Sequence, residues 1–466
     1  MRYNKAPKIK KELKHMRKAK MNRKARREAE KKVNYFFEFR RIIRHYFRGL
    51  TKELEKMNDP RHQSYIKYPA PLIILTLIMK QASGLVSMRQ TTEAFNTDEA
   101  IANMGTFLDI DIDEIPHYDT INNYLKKLSM EELERLRYYM VRELIKKRSF
   151  DSYRFSIDGD YYWVIVVDGT GLHTFKEKHC EHCLKTERKN KTTGEIESVT
   201  YYHHVLEAKL IVNDMVISIA SEYIENEDEN VEKQDCELKA FYRLAEKIKK
   251  AFPRLKICIL ADSLYAGYPV FEVCRENKWK HAFRFKDGSI PTVAKEYGEL
   301  KELKKEDQLT IDKDQMRWVN GIKYRKLEIN LCELVTECED EGNTTTTKTF
   351  VFLTNFEITE KNIERVIKVG RSRWKVENEG FNRQKNHRLH IEHVNCFNYT
   401  AMKNHYLIAQ ITEIILVLYE NGSECFKILK KTIKEKSSDL LEAFRTKQLT
   451  AEDFDNLDVP IQVRFT

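Results

Sequence analysis

The run Tyr161-Tyr-Trp-Val-Ile-Val-Val-Asp168 constrains the fold more than any other segment. Its β-branched and aromatic residues do not alternate with polar ones, so it reads as a strand buried on both faces. Such a strand needs cover on each side, which points to an α/β arrangement. Lys256-Ile-Cys-Ile-Leu-Ala-Asp262 repeats the pattern and also closes on Asp. A carboxylate at the end of a buried strand is costly unless it is paired, hydrogen-bonded or metal-bound. If the two strands are parallel neighbours, Asp168 and Asp262 converge at one sheet edge, where open α/β sheets bind ligands. Taken singly, each Asp also suits a plain turn cap.

The flanking segments extend this reading. Residues 201–212 and 215–223 are strand-like around a turn at Asn213-Asp214. Residues 233–252 read as an amphipathic helix, 269–278 as a short helix and 281–285 as a strand. The order β-β-β-α-β-α-β suits an α/β domain. Residues 287–356 interrupt it as a β-rich insertion, with strand-prone runs at 308–311, 324–331 and 349–354 and a Thr344–Thr347 loop tip. Helical spacing returns at 363–385, 399–419 and 437–444. The expected division is a basic arm at 1–33, an all-helical region at 34–150, a core at 151–286, the insertion at 287–356, the core resumed at 357–420, and a helical tail at 421–466. The helical region would help hold a ligand or simply form a bundle; no specific helix-turn-helix motif marks it.

Charge is concentrated rather than spread. Residues 2–32 hold 15 Lys/Arg against 3 Glu, a net of +12 within a chain total of +10, so residues 33–466 carry −2. An arm carrying Lys24, Arg26 and Arg27 suggests a polyanionic partner, with a solvated tail as the plain alternative. No apolar core follows the charged N-terminus, so no secretory signal is expected. The longest apolar run, 71–79, is too short to span a membrane. The 9 Cys are scattered, which suits reduced thiols in an intracellular, cytoplasmic setting. No G-x-x-x-x-G-K-[ST] loop occurs, so no nucleoside triphosphate is indicated.

A third acidic element completes a constellation. Arg371-Ser-Arg-Trp-Lys-Val-Glu-Asn-Glu-Gly-Phe-Asn-Arg-Gln-Lys385 reads as a helix in which Arg373 and Glu377 share a face. Alone this is an ordinary ion pair. Together with Asp168 and Asp262 it gives three oxygen ligands for divalent cations beside cationic groups for phosphate.

These segments resemble the bacterial insertion-sequence transposases of the DDE type. The matches are Val166-Val-Asp168-Gly-Thr-Gly, Ile259-Leu-Ala-Asp262-Ser-Leu-Tyr and Arg373-Trp-Lys-Val-Glu377 through Lys385. Gln234-Asp-Cys-Glu237 and Ile115-Pro-His-Tyr-Asp-Thr-Ile-Asn122 add to them. The resemblance implies an RNase H-like mixed sheet with flanking helices. It also implies a catalytic, metal-binding triad of Asp168, Asp262 and Glu377 using Mg²⁺ or Mn²⁺. Arg373, Lys385 and Arg371 would contact DNA. Transposon ends and target DNA would be the partners, a homodimer the working form, and the nucleoid the location. Gly370 stands where the family often has Tyr. The spacing from Glu377 to Lys385 is one longer than the commonest form, which leaves Glu379 as the alternative to Glu377. The Arg-Trp-Lys-Val-Glu register favours Glu377. The competing functions are a non-catalytic DNA-binding descendant and a metal-dependent nuclease that does not join strands.

His179-Cys-Glu-His-Cys183 contains a C-x-x-C knuckle, and the polar stretch 185–198 reads as a hairpin returning to His203 and His204. Neighbouring residues on a strand face opposite ways, so one of His203 and His204 would join Cys180 and Cys183. With His182 or His179 these make a tetrahedral Zn²⁺ set. The plain alternative is an exposed thiol pair beside incidental histidines.

Overall fold

The computed structural model describes residues 33–227, 231, 233–340 and 344–463, with 24, 28 and 30 ahead of them. Lys24 is helical and exposed, whereas Arg26 and Arg27 lie outside the described residues. The chain divides into two compact units, Met1–Asp151 with Asn382–Thr466, and Ser152–Phe381. Residues 357–420, read from the sequence as one stretch of core, are divided between them after Phe381.

The first unit is helical. It opens with α1 (Tyr35–Tyr46), α2 (Leu50–Glu55), α3 (Ala70–Ala82), α4 (Met88–Phe95), α5 (Asp98–Leu108), α6 (Tyr118–Leu125) and α7 (Met130–Lys146). Local chemistry sets the ends. The Asn34 side chain caps α1, Ser87 and Gln90 form a capping box on α4, and Thr97 caps α5. α5 carries a short apolar stripe interrupted by buried Asn103 and Gly105.

The second unit is built on one mixed sheet. Its strands are β1 (Phe155–Ile157), β2 (Asp160–Phe175), β3 (Leu184–Lys189), β4 (Ile196–Val212), β5 (Met215–Ile224), β6 (Ile257–Ala261), β7 (Lys280–Arg284), β8 (Asp307–Ile311), β9 (Asp314–Tyr324), β10 (Leu327–Asp340) and β11 (Thr344–Thr354). The main path runs β3-β4-β2-β6-β7-β11-β10-β9-β8, with β1 on β2 and β5 on β4. β2, β6 and β7 are parallel neighbours, and the other pairs are antiparallel. The helices are α8 (Glu237–Ala251), α9 (Tyr268–Glu276), α10 (Pro291–Glu302) and α11 (Ile363–Arg371). Trp163–Val167 and all of β6 are buried, as their unbroken apolar runs require.

Three expectations change. Asp168 is not at a strand end, because β2 continues seven residues to Phe175 while its pairing with β6 stops at Val166. The β-rich insertion also holds a helix, α10, and its β11 joins the core sheet through β7. Thr344–Thr347 lie in β11, and 324–331 holds a turn between β9 and β10, with Arg325 at φ 56°. β-branched Thr suits a strand better than a loop tip.

α11 also explains the Gly at 370. A Cβ there would stand 2.7 Å from the ring of buried Phe352, so the helix can lie on that strand only without a side chain. Gly370→Ala is expected to cost about 1–3 kcal/mol, read as a lower urea midpoint with unchanged slope.

The chain then completes the helical unit with α12 (Tyr399–Gly422), α13 (Glu424–Leu429), α14 (Ile433–Thr446) and α15 (Ala451–Asn456). α12 is buried nearly all round, its polar Asn404, Gln410 and Glu413 included, and packs on α1, α3, α6 and α7. Buried Arg388 pairs with Glu413 and Glu420, which satisfies three otherwise costly charges. Phe444 of α14 lies 5.2 Å from Phe36 and 5.0 Å from Phe95, ring centre to ring centre. Residues 421–456 are thus packed structure in this unit.

Candidate active site

The parallel register of β2 and β6 sets the first two carboxylates. Trp163 pairs with Ile257 and Val166 with Leu260, so the same offset brings Asp168 level with Asp262. Asp262 also caps the following turn, its Oδ1 accepting from the Leu264 amide at 2.8 Å. The turn cap and the sheet-edge carboxylate are therefore one residue with both parts to play.

The third carboxylate arrives after α11. The Val376–Asn382 stretch is π-helical, a wide turn that is frequent at functional sites. Buried Val376 and Phe381 anchor it, leaving Glu377 toward solvent. Arg373 joins the group: its Nη1 is 3.4 Å from Asp168 Oδ2, and its Nη2 donates to Glu377 Oε1 at 2.6 Å. Asp168, Glu377 and Arg373 are thus in direct contact.

A fourth acid completes the set. Glu237, in the first turn of α8, accepts from the Tyr265 hydroxyl at 3.1 Å. A Cβ at Gly169 would stand 2.5 Å from Glu237 Oε1, so the glycine beside Asp168 admits that carboxylate to the strand. The sequence places Glu237 at the head of α8 without giving it a role. Its signal is the pairing of a Gly after the strand Asp with an acid at a helix start.

The electrostatics follow from crowding. Burial pushes the Asp168 carboxyl up to about 7, and Glu377, Asp262 and Glu237 push the same way against Arg373. Glu237 is raised too, first by burial and then by Asp262, with the Tyr265 hydrogen bond opposing. Four carboxylates offset by one guanidinium leave excess negative charge on oxygen ligands, the donor set that hard divalent cations prefer. The residues fit such a group.

The cationic residues separate. Arg371 stands over the Phe350 ring at 4.8 Å, and Arg284 faces the same ring at 5.0 Å. Arg284 is lowered in pKa by burial and then by Arg373, which places it in the site's field. Sequence reasoning missed Arg284 because nothing in the run at β7 marks it. Lys385 belongs to the helical unit and pairs there with Glu392 at 2.7 Å. Glu379 is half-buried.

Of the suggested zinc ligands, the structure brings together Cys180, Cys183 and His203. His204 is not in that group; β4 sets it opposite Gly171 and Ile224. The hairpin register explains the choice, since Leu184 opposite Tyr202 puts Cys183 next to His203. His182 turns away, with Nδ1 2.8 Å from the Asn226 carbonyl oxygen.

Parallel strands at the centre of a mixed sheet, flanking helices, and acids delivered from two adjacent strands and a later helical segment define an RNase H-like fold. A family model described as "Transposase DDE domain" matches residues 161–412, more than half of the chain. The chain belongs to that family. A search of the curated proteins returns no match. Among the described residues, no helix is long and apolar enough to cross a membrane.

Proposed function

We propose that the protein cleaves the ends of a mobile DNA element and transfers the 3′ strands to target DNA. The contact of Asp168 and Glu377 through Arg373, with Asp262 in register, is the observation that carries this reading. Asp168, Asp262 and Glu377 would hold Mg²⁺ or Mn²⁺, with Glu237 beside them. Bound divalent cations supply Lewis acidity toward the attacking and leaving oxygens of a phosphodiester.

The chain's own groups bind and orient the substrate. Arg373 is held in place by its two carboxylate partners, which fixes a guanidinium next to where a phosphate would enter. Arg371 and Arg284 flank it around Phe350 and suit further phosphate oxygens. Lys385 and the arm residues Lys24, Arg26 and Arg27 would engage DNA through charge rather than base identity. A homodimer on paired ends, acting at the nucleoid, is part of this proposal. Residues 33–466 sum to −2, so the arm would supply most of the electrostatic attraction to DNA, which is strongest at low salt. Removing residues 1–33 is expected to weaken DNA binding and flatten its salt dependence, measured as the slope of log affinity against log salt.

The deciding experiment incubates the protein with Mg²⁺ and DNA carrying the inverted repeats that flank its coding sequence. The reading predicts 3′ cleavage at the repeats and joined products with a target plasmid. Cleavage without joining would make it a nuclease, and binding without cleavage would make it a non-catalytic descendant.

A further inference from the structure

We propose that Cys180, Cys183 and His203 hold a structural zinc ion, with His179 supplying the fourth ligand. The two Sγ atoms are 3.6 Å apart, and each is 3.6 Å from His203 Nε2. A tetrahedral zinc with bonds of about 2.3 Å to sulfur and about 2.05 Å to nitrogen sets edges of about 3.8 Å and about 3.6 Å. The three side chains already stand at the corners of one face of that tetrahedron.

The surroundings suit a metal more than a free thiol pair. Cys183 and His203 are buried, and Cys180 is half-buried. The Cys183 amide donates to the Cys180 carbonyl at 3.3 Å, closing the knuckle, and the Cys180 amide points at Cys183 Sγ at 3.4 Å. An amide N–H aimed at sulfur stabilises a thiolate. Binding would release two thiol protons to solvent, and two thiolates with two neutral imidazoles leave Zn²⁺ in a site of zero net charge. Burial is then cheap.

The fourth position is assigned by proximity on the knuckle. The His179 ring is 6.2 Å from that of His203 and stacks on Phe175. His173 is equally near but is buried within β2, so it has less room to turn. The ion would tie the β2–β3 connection to β4, the strand whose Glu207 lies opposite Asp168 of β2. This site uses sulfur and nitrogen donors, so it selects a different metal from the carboxylates and stands whether or not they are catalytic.

The test is metal analysis of the full chain purified without added zinc. About one zinc per chain is expected, falling below a tenth in Cys180→Ser, Cys183→Ser and His203→Ala, and unchanged in His204→Ala. Cobalt exchanged into the wild-type protein should show a thiolate-to-metal charge-transfer band, a readout that survives if a variant fails to fold. His179→Ala should lose zinc to a chelator faster than His173→Ala. Less than a tenth of an equivalent in the wild type, or a cobalt spectrum without the thiolate band, would overturn the site. Faster loss from His173→Ala than from His179→Ala would overturn the fourth ligand.

Discussion

Asp168→Asn, Asp262→Asn and Glu377→Gln are each expected to reduce strand cleavage by at least about a thousandfold, with DNA-end binding within about threefold of the wild type. Each change keeps the side chain's shape and removes one charged oxygen donor. None removes a cation that faces DNA. The measurement is single-turnover cleavage with Mg²⁺, alongside a gel-shift titration in Ca²⁺. The neighbouring acids provide the contrast. Glu379→Gln should cleave nearly normally, because it is Glu377 that shares Arg373 with Asp168. Glu237→Gln should fall by about ten- to a hundredfold, the range expected for a group that orients a metal ligand. Near-normal cleavage in Glu377→Gln together with loss in Glu379→Gln would reverse the assignment of the third acid.

The same Asp168→Asn change is expected to stabilise the metal-free protein above neutral pH. Burial and three like charges raise the Asp168 carboxyl to about 7 in the folded chain, against 3.8 as its ordinary value. A raised carboxyl binds its proton more tightly folded than unfolded. Its contribution to stability is therefore fully present below about pH 4, and it is lost as pH rises through about 7. The amide has no such loss. In EDTA at pH 8 the variant should be more stable by on the order of 2–4 kcal/mol, narrowing as pH falls toward 4. Mg²⁺ should raise the melting temperature of the wild type and leave the variant nearly unmoved. An active site that is costly when empty is the usual trade of stability for function.

Much of this site was legible before the fold. Unbroken apolar runs ending in Asp168 and Asp262 are read directly, because strands buried on two faces carry no alternation. Their convergence needed the parallel β2–β6 register, which no local pattern contains. Glu377 is favoured in the sequence by its place four residues after Arg373, and Arg373 pairs with both Glu377 and Asp168. Three things were hidden. The length of β2 beyond Asp168 was masked by Gly169 and Gly171, which read as a turn but lie in strand. The role of Glu237 depends on a contact across 68 residues with Gly169. The joining of residues 382–456 to the N-terminal helices rests on packing such as Phe444 with Phe36 and Phe95, which sequence separation conceals. The zinc hairpin was half legible: period-2 alternation limited the choice to one of His203 and His204, and strand register selects His203.

The central claim is that Asp168, Asp262 and Glu377 surround one divalent-cation site. Replacing Mg²⁺ with Fe²⁺ and adding ascorbate and peroxide generates short-lived radicals that cut the polypeptide beside the bound ion. The claim predicts fragments ending near residues 168, 262 and 377, suppressed by excess Mg²⁺ and absent from the Asp168→Asn variant. Fragments that persist in Asp168→Asn, or cuts near 168 and 262 without one near 377, would contradict it.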